Sequence, residues 1–231
     1  MRIMLKGKSR LDEALTSQSK WCYPGTDVLI NKKGIRDQEV LNTVERRIST
    51  LMLTQVQMRD LPDVNELFSV SYFQRLHKEV FGYIYEFAGK FRDENITKGN
   101  TPFCRPEYIA PYLRDLFKQM KKAICKIETR DDMLDFLSYY YTELNVIHPF
   151  REGNGRVMRE YLCEVVDFTS QTLGIPYELN FADVTEEQRK QFIRGSIRGA
   201  VYGDTAFIRD FFNDTLKEKK DVTDKSIRHR V

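Results

Sequence analysis

The sequence predicts a mostly α-helical single domain, and three observations carry that prediction. Apolar residues recur at three- and four-residue spacing through most of the chain, which is the rhythm of helices with one face turned to a core. Cap and stop signals bracket those runs. The 231 residues contain no internal repeat and no low-complexity linker, so one core is the economical arrangement. Composition agrees, with 41% apolar and 31% charged residues.

The elements follow in order. Residues 1–20 are polar and read as a peripheral segment. "YPGTDVLINKKGIRD" (Tyr23–Asp37) places Pro-Gly and Lys-Gly turn signals around a short apolar patch. After Asp37, residues Val40, Leu41, Val44, Ile48, Leu51 and Leu53 lie mostly at helical spacing. A second helix starts after Ser69 or Ser71, with Phe73, Leu76, His77, Val80 and Phe81 on one face. His77 on that stripe reads as a hydrogen-bonded core histidine rather than a ligand.

"GKFRDENITKGNTPFCRPE" (Gly89–Glu107) breaks the helical pattern and reads as an exposed loop or short hairpin, the kind of segment that often carries function. Helices then resume. Tyr108–Lys126 carries an apolar stripe through Ile109, Leu113, Leu116, Phe117 and Met120. Asp131 or Asp132 is placed to cap the next helix, whose inward side is Met133, Phe136, Leu137, Tyr140, Tyr141 and Leu144. Pro149 ends it near His148, because a residue before proline disfavours the α region.

A further buried helix runs through Val157, Tyr161, Leu162, Val165 and Val166 to a stop at Gly174. "TEEQ" at 185–188 matches a capping box and opens a helix through Phe192, Ile193, Ile197 and Val201. The last helix carries Phe207, Ile208, Phe211, Phe212 and Leu216, and the charged tail from Lys217 to Val231 is expected to fray.

Several function classes recede on composition. The 37 basic and 34 acidic residues are spread throughout, so the net charge of +3 does not demand nucleic acid or an anionic membrane as partner. No apolar run approaches the length of a membrane span, and the start "MRIMLKGKSR" lacks a signal-peptide hydrophobic region. Cysteines 22, 104, 125 and 163 are far apart and form no CxxC pair, which argues against a zinc ribbon and a dense disulfide framework. The expectation is a reduced, cytoplasmic protein.

The chemistry concentrates in "HPFREGNGRVMRE", His148 to Glu160. Gly-Asn-Gly alone says little; the order of the side chains around it says more. Gly153 and Gly155 let a backbone approach an anion and adopt positive φ. A helix starting near Gly155 aims unpaired amides and its positive dipole end into the same loop. Asn154 offers a side-chain amide donor. Arg156 and Arg159, three apart, share the first turn and present forked donors suited to phosphate. Glu152 at the lip suits a Mg²⁺ shared with phosphate oxygens, or an ion pair with Arg156. His148 can hold a neutral, proton-accepting imidazole near pH 7, since its unperturbed pKa is about 6.5. Phe150 points into the core and anchors the loop.

"HPFREGNGRVMR" resembles the signature of Fic-domain proteins, HxFx(D/E)GNGRxxR, at every specified position. "YPGTDVLINKKGIRD", "LHKEVFGYIYEFAGKFR" and "ELNVIHPF" resemble flanking segments of the same family, so the likeness covers about residues 21 to 216. The resemblance implies an all-α bundle with a β-hairpin flap over the active site. It implies transfer of AMP from ATP to a Tyr, Thr or Ser hydroxyl of a target protein, with release of pyrophosphate. By motif position His148 would be the base, Glu152 the Mg²⁺ ligand, and Gly153, Asn154 and Gly155 the anion hole. Arg156 and Arg159 would hold the outer phosphates. The segment Asn95–Phe103, with Lys98, Gly99, Asn100 and Phe103, would be the flap that aligns a target strand.

The related Doc-type kinases carry a lysine where this chain has Gly153, so the resemblance favours nucleotidyl transfer over phosphorylation. Transfer of another nucleotide or of phosphocholine, removal of AMP, and a non-catalytic binding module are the alternatives. Many relatives are blocked by a glutamate from a helix of form (S/T)xxxE(G/N). The nearest match here is Ser9–Glu13, followed by Ala14 where Gly or Asn is expected, which reads as a chance match rather than a degenerate internal inhibitor. The expectation is a separate, small antitoxin-like protein whose glutamate meets Arg159.

Overall fold

Several of the helices begin where a side chain satisfies their first amides. The computed structural model describes residues 19–98 and 101–219. Helix α1 (Gln38–Gln57) starts at Asp37, whose carboxylate accepts the Val40 N–H. After a short α2 (Val64–Leu67), α3 (Val70–Phe81) starts at Ser69, whose hydroxyl accepts the Tyr72 N–H. A two-stranded hairpin follows, β1 (Thr97–Lys98) and β2 (Thr101–Pro102), paired antiparallel with Thr97 opposite Pro102. Helix α4 (Pro106–Ala123) runs into a 3₁₀ turn (Ile124–Lys126) and then α5 (Arg130–Ile147). Helix α6 (Asn154–Leu173) ends at Gly174 with φ 69°. Strand β3 (Tyr177–Leu179), α7 (Glu186–Tyr202), α8 (Ala206–Thr215) and β4 (Leu216–Glu218) complete the order.

Helix α5 is the hub. It packs against α4, α6, α7 and α8, while α3 packs on both α1 and α6. Phe73, Phe117, Phe150 and Tyr161 meet between α3, α4, the α5–α6 turn and α6, each with at most 1% of its surface exposed. This aromatic layer fixes the α3 and α6 axes relative to the turn that joins α5 to α6. The bundle with a hairpin is the all-α architecture expected from the sequence.

Local differences from the expectation have physical causes. The cap of α5 is Thr129, not Asp131 or Asp132: Thr129 takes the extended backbone (φ −118°, ψ 166°) that a cap requires, and Asp132 at the third helical position closes a capping box with it. In α7 the Thr185–Gln188 box forms and Phe192 is buried, yet Ile193, Ile197 and Val201 stay 46%, 38% and 48% exposed. The inward face instead holds Gly195, Ser196 and Gly199. An added Cβ at Gly195 would meet Phe207 Cβ at 2.7 Å, and one at Gly199 would meet Thr142 at 3.0 Å. Small residues bring α7 close to its neighbours and turn the larger apolar row outward.

The first residues of the expected tail also depart from expectation, while residues 220–231 lie outside the described residues. Leu216 does not end α8 but opens β4, which pairs antiparallel with β3 through Leu179–Leu216, Glu178–Lys217 and Tyr177–Glu218. Lys219 then reaches Asp167 at 3.3 Å, with both side chains almost buried. A three-residue strand is too short to show a period-two pattern, and its partner lies about forty residues upstream. At the other end Ser19 and Lys20 contact Glu94 and Asp93. The Ser9–Glu13 match lies outside the described residues.

Candidate active site

The turn between α5 and α6 is built by backbone chemistry first. His148 is the C-cap of α5 and takes a left-handed conformation, φ 44° and ψ 62°. Among the described residues it is the one non-glycine with positive φ, a conformation that costs energy and persists where surroundings enforce it. Arg92 supplies the enforcement. Buried, it donates to the carbonyls of His148 at 2.8 Å, Ile147 at 3.2 Å and Glu94 at 2.8 Å, and also to that of Cys104. A cation on the last carbonyls of a helix is also the favourable sense of its dipole. Burial lowers the Arg92 pKa from its usual value.

The hairpin is tied to the same helix end. The Cys104 N–H donates to Val146 O at 3.0 Å, and the Phe103 ring stacks on His148 with centroids 3.9 Å apart and planes at 15°. One face of the imidazole is therefore occupied by Phe103. Of the expected flap residues, Lys98 sits in β1; Gly99 and Asn100 fall outside the described residues.

Below the turn, His77 holds the loop from inside the core. Its Nδ1 accepts the Gly89 N–H at 2.9 Å, so the proton is on Nε2, which donates to Glu152 O at 2.9 Å. The ring stacks on Phe150 at 3.8 Å. Burial, with some help from the nearby Arg156 charge, pushes the imidazole down to about 4, so it is neutral. The expectation of a hydrogen-bonded core histidine holds, but its partner is the motif itself.

Gly153 caps α6 with φ 81°. A Cβ there would meet the Phe81 ring at 2.3 Å, so conformation and space both require glycine. Gly155 differs from expectation: it lies inside the first turn of α6, outside the positive-φ set, and a Cβ would meet only Arg159 Nη1 at 3.5 Å. Its value is open space over the helix start. Asn154 also differs. Its side chain is buried and bonded to the Phe150 N–H and carbonyl, both at 2.8 Å, so it staples the loop and does not face an anion. What remains for an anion is the helix start itself, where first-turn amides have no intrahelical partner.

The Glu152 side chain is 44% exposed. Its Oε1 accepts the Gly153 N–H at 2.8 Å and stands 3.8 Å from Arg156 Nη2. Arg156 has closer partners: it pairs with Glu45 and donates to Ser49 Oγ at 2.9 Å, both on α1, with its guanidinium 4.7 Å over the Phe81 ring. Arg159 makes no hydrogen bond or ion pair among the described residues. It lines a cavity of about 250 Å³ with Arg156, Arg189, Phe181, Phe192 and Phe211. Burial, and then the neighbouring charges of Arg156 and Arg189, lower its pKa.

The structure thus places His148, Glu152, Gly153 and the start of α6 on one turn beside the hairpin, while Arg156 and Arg159 on the first turns of α6 line a cavity whose other walls include α1, α7 and α8. It adds residues the sequence reading did not single out for the site: Arg92, Phe81, Glu45, Ser49 and Arg189. Arg92 and Phe81 stand within or beside segments resembling the family's flanks. Glu45 had no local signal, being one charge among many on α1.

A histidine at the end of one helix, a glycine-capped start to the next and a hairpin packed on the imidazole make an arrangement that can receive phosphate oxygens at the helix start. The Fic/DOC family model matches residues 67–165, which span the hairpin and the whole turn. A probable protein adenylyltransferase, y4lH, of Sinorhizobium fredii (strain NBRC 101917 / NGR234) is 35% identical over 187 residues, 80% of this chain and 89% of that one. The protein adenylyltransferase VbhT of Bartonella schoenbuchensis is 28% identical, covering 93% of this chain and 43% of that longer one. A crystal structure of BepC, a VirB-translocated effector of Bartonella tribocorum with bound AMPPNP, shares the fold. Its TM-score is 0.73 at 23% identity, over 87% of this chain and 97% of that one. The chain belongs to the Fic/DOC family.

Proposed function

We propose that this chain is a protein adenylyltransferase, which moves AMP from ATP to a Tyr, Thr or Ser hydroxyl of a target protein and releases pyrophosphate. The observation that carries the reading is the turn from His148 to Arg156. It holds a clamped imidazole, an exposed carboxylate and a glycine-capped helix start in one span, on a chain 35% identical to a probable protein adenylyltransferase.

His148 is the base. Its neutral imidazole takes the proton of the target hydroxyl as that oxygen bonds to the α-phosphorus. The bond from the α-phosphorus to its bridging oxygen breaks, and the electron pair leaves with pyrophosphate. Such transfers depend on positioning and charge stabilisation more than on forming an alkoxide. Arg92 and Phe103 supply the positioning, one through the His148 carbonyl and the other through the ring face. The first-turn amides of Asn154, Gly155 and Arg156 face the phosphate oxygens. Arg156 and Arg159 take the outer phosphates. Gly153, where a lysine would reverse the nucleotide, favours nucleotidyl over phosphoryl transfer.

Glu152 would hold Mg²⁺. Among the described residues no group of three or more His, Cys, Asp or Glu side chains could bind a metal alone. A lone exposed carboxylate fits a cation shared with phosphate oxygens. When bound, Mg²⁺ neutralises charge on the phosphates. The hairpin, with Lys98, Gly99, Asn100 and Phe103, aligns the target segment by backbone pairing. A separate antitoxin-like protein supplies a glutamate to Arg159, whose guanidinium faces the cavity without an ion-pair partner among the described residues. No helix is long and apolar enough to cross a membrane among the described residues.

Incubating the chain with α-labelled ATP, Mg²⁺ and bacterial lysate tests the reading. Label on protein, lost by at least ~100-fold in His148→Ala and found as AMP by mass spectrometry, supports it. Label retained in that variant, or an added phosphate in place of AMP, overturns it.

A further inference from the structure

We infer that Glu45, on helix α1 and outside the motif, is a positioning residue for Arg156. This rests on the adenylyltransferase reading, because it assigns Arg156 to the outer phosphates.

Arg156 is held on three sides before any ligand arrives. Nη2 pairs with Glu45 Oε1, Nη1 donates to Ser49 Oγ at 2.9 Å, and the guanidinium plane lies over the Phe81 ring at 4.7 Å. Guanidinium has five N–H donors in a rigid fork. Fixing two edges and one face gives the fork a defined direction, with Nη2 also standing 3.8 Å from Glu152 Oε1 in the loop.

Glu45 is itself constrained. Its side chain is only 12% exposed, and its second oxygen accepts the Tyr85 hydroxyl. Tyr85 is buried and stacked on Phe87 at 4.6 Å. Burial, and then the adjacent Glu45 charge, raise the Tyr85 pKa far above its usual value, so the phenol remains a donor. A rigid aromatic layer therefore holds a carboxylate, and the carboxylate holds the arginine. Ser49, buried one helical turn further on, adds the second bond.

A positioning role and a mere tie between α1 and α6 predict different kinetics. Removing the carboxylate leaves Arg156 with more uncompensated positive charge and less order. Extra charge favours ground-state binding of a triphosphate, whereas lost order weakens the contact as charge develops on the leaving group. Glu45→Gln should therefore lower kcat about 10-fold while KM for ATP stays level or falls. A tie alone would lower the melting temperature and leave both constants of the folded fraction unchanged.

The test measures wild type, Glu45→Gln, Glu45→Asp and Tyr85→Phe. Readouts are kcat and KM for ATP, ADP affinity by calorimetry, and the Arg156 Nε–Hε resonance in ¹⁵N spectra, assigned with Arg156→Lys. A sharp wild-type resonance that broadens in Glu45→Gln, a selective loss of kcat and partial recovery in Glu45→Asp support the inference. Tyr85→Phe, which keeps the core aromatic, should lower kcat about 3-fold and serves should Glu45→Gln fail to fold. A raised KM at constant kcat, or a resonance unchanged by Glu45→Gln, overturns it. Should wild type transfer no AMP while the resonance still broadens in Glu45→Gln, the activity reading fails and the positioning of Arg156 stands.

Discussion

Acid should unfold this protein through His77, and the size of the effect follows from its surroundings. The ring accepts the Gly89 N–H at Nδ1 and donates to Glu152 O from Nε2, so both nitrogens are committed to the neutral tautomer. A second proton would stand on Nδ1 against the Gly89 N–H, in a buried site beside Arg156. The folded pKa of about 4 lies below the 6.5 of an exposed imidazole. The unfolded chain therefore binds the proton first as pH falls, and stability drops. At about 1.4 kcal/mol per pH unit the full effect is about 3 kcal/mol. About 2 kcal/mol of it is lost between pH 7.5 and pH 5, and the loss is complete below the folded value. Glu164, whose carboxyl is raised by burial, contributes a slope of the opposite sign. Only a difference between variants isolates the histidine. Urea unfolding of wild type and His77→Gln across pH 5 to 7.5 is the assay: wild type should lose about 2 kcal/mol more than the variant. Parallel slopes in the two proteins would refute a neutral, doubly engaged His77.

Two further predictions concern the motif's support and the Lys219–Asp167 ion pair beside β4. Gly153→Ala forces a Cβ into the Phe81 ring at a backbone of φ 81°, so it should destabilise by about 2 kcal/mol or more and abolish transfer; unfolding free energies for it, Phe81→Leu and the double variant should be non-additive if the ring contact matters. Asp167→Asn removes one ion-pair partner of the almost buried Lys219 and should cost about 2 kcal/mol in urea unfolding; an unchanged midpoint would mean that this ion pair contributes nothing to the fold.

How much was legible in the sequence varies residue by residue. Helix faces were readable where burial follows the apolar residues, as at Phe73, Leu76 and Val80. The face of α7 was not, because Gly195 and Gly199 set its orientation by permitting close approach, and absent side chains leave no hydrophobic signal. Likewise Leu216 fits a helical spacing, yet it pairs with Leu179 across a sheet that exists only once α6, α7 and α8 are packed.

The same division holds at the site. The order of residues from His148 to Arg159 determined the chemistry available, since an imidazole, a carboxylate, flexible backbone and two guanidiniums close in sequence must lie near one turn. Tertiary structure alone decided which groups remain free to act. Asn154 is consumed by the Phe150 backbone, Arg156 is shared with Glu45, and Arg159 is left facing the cavity. It also decided what holds His148 and its loop in place, through Arg92 from the segment before the hairpin and His77 from α3. Hydrogen-bond partners distant along the chain have no local pattern to announce them; they meet because helix packing puts them within 3 Å.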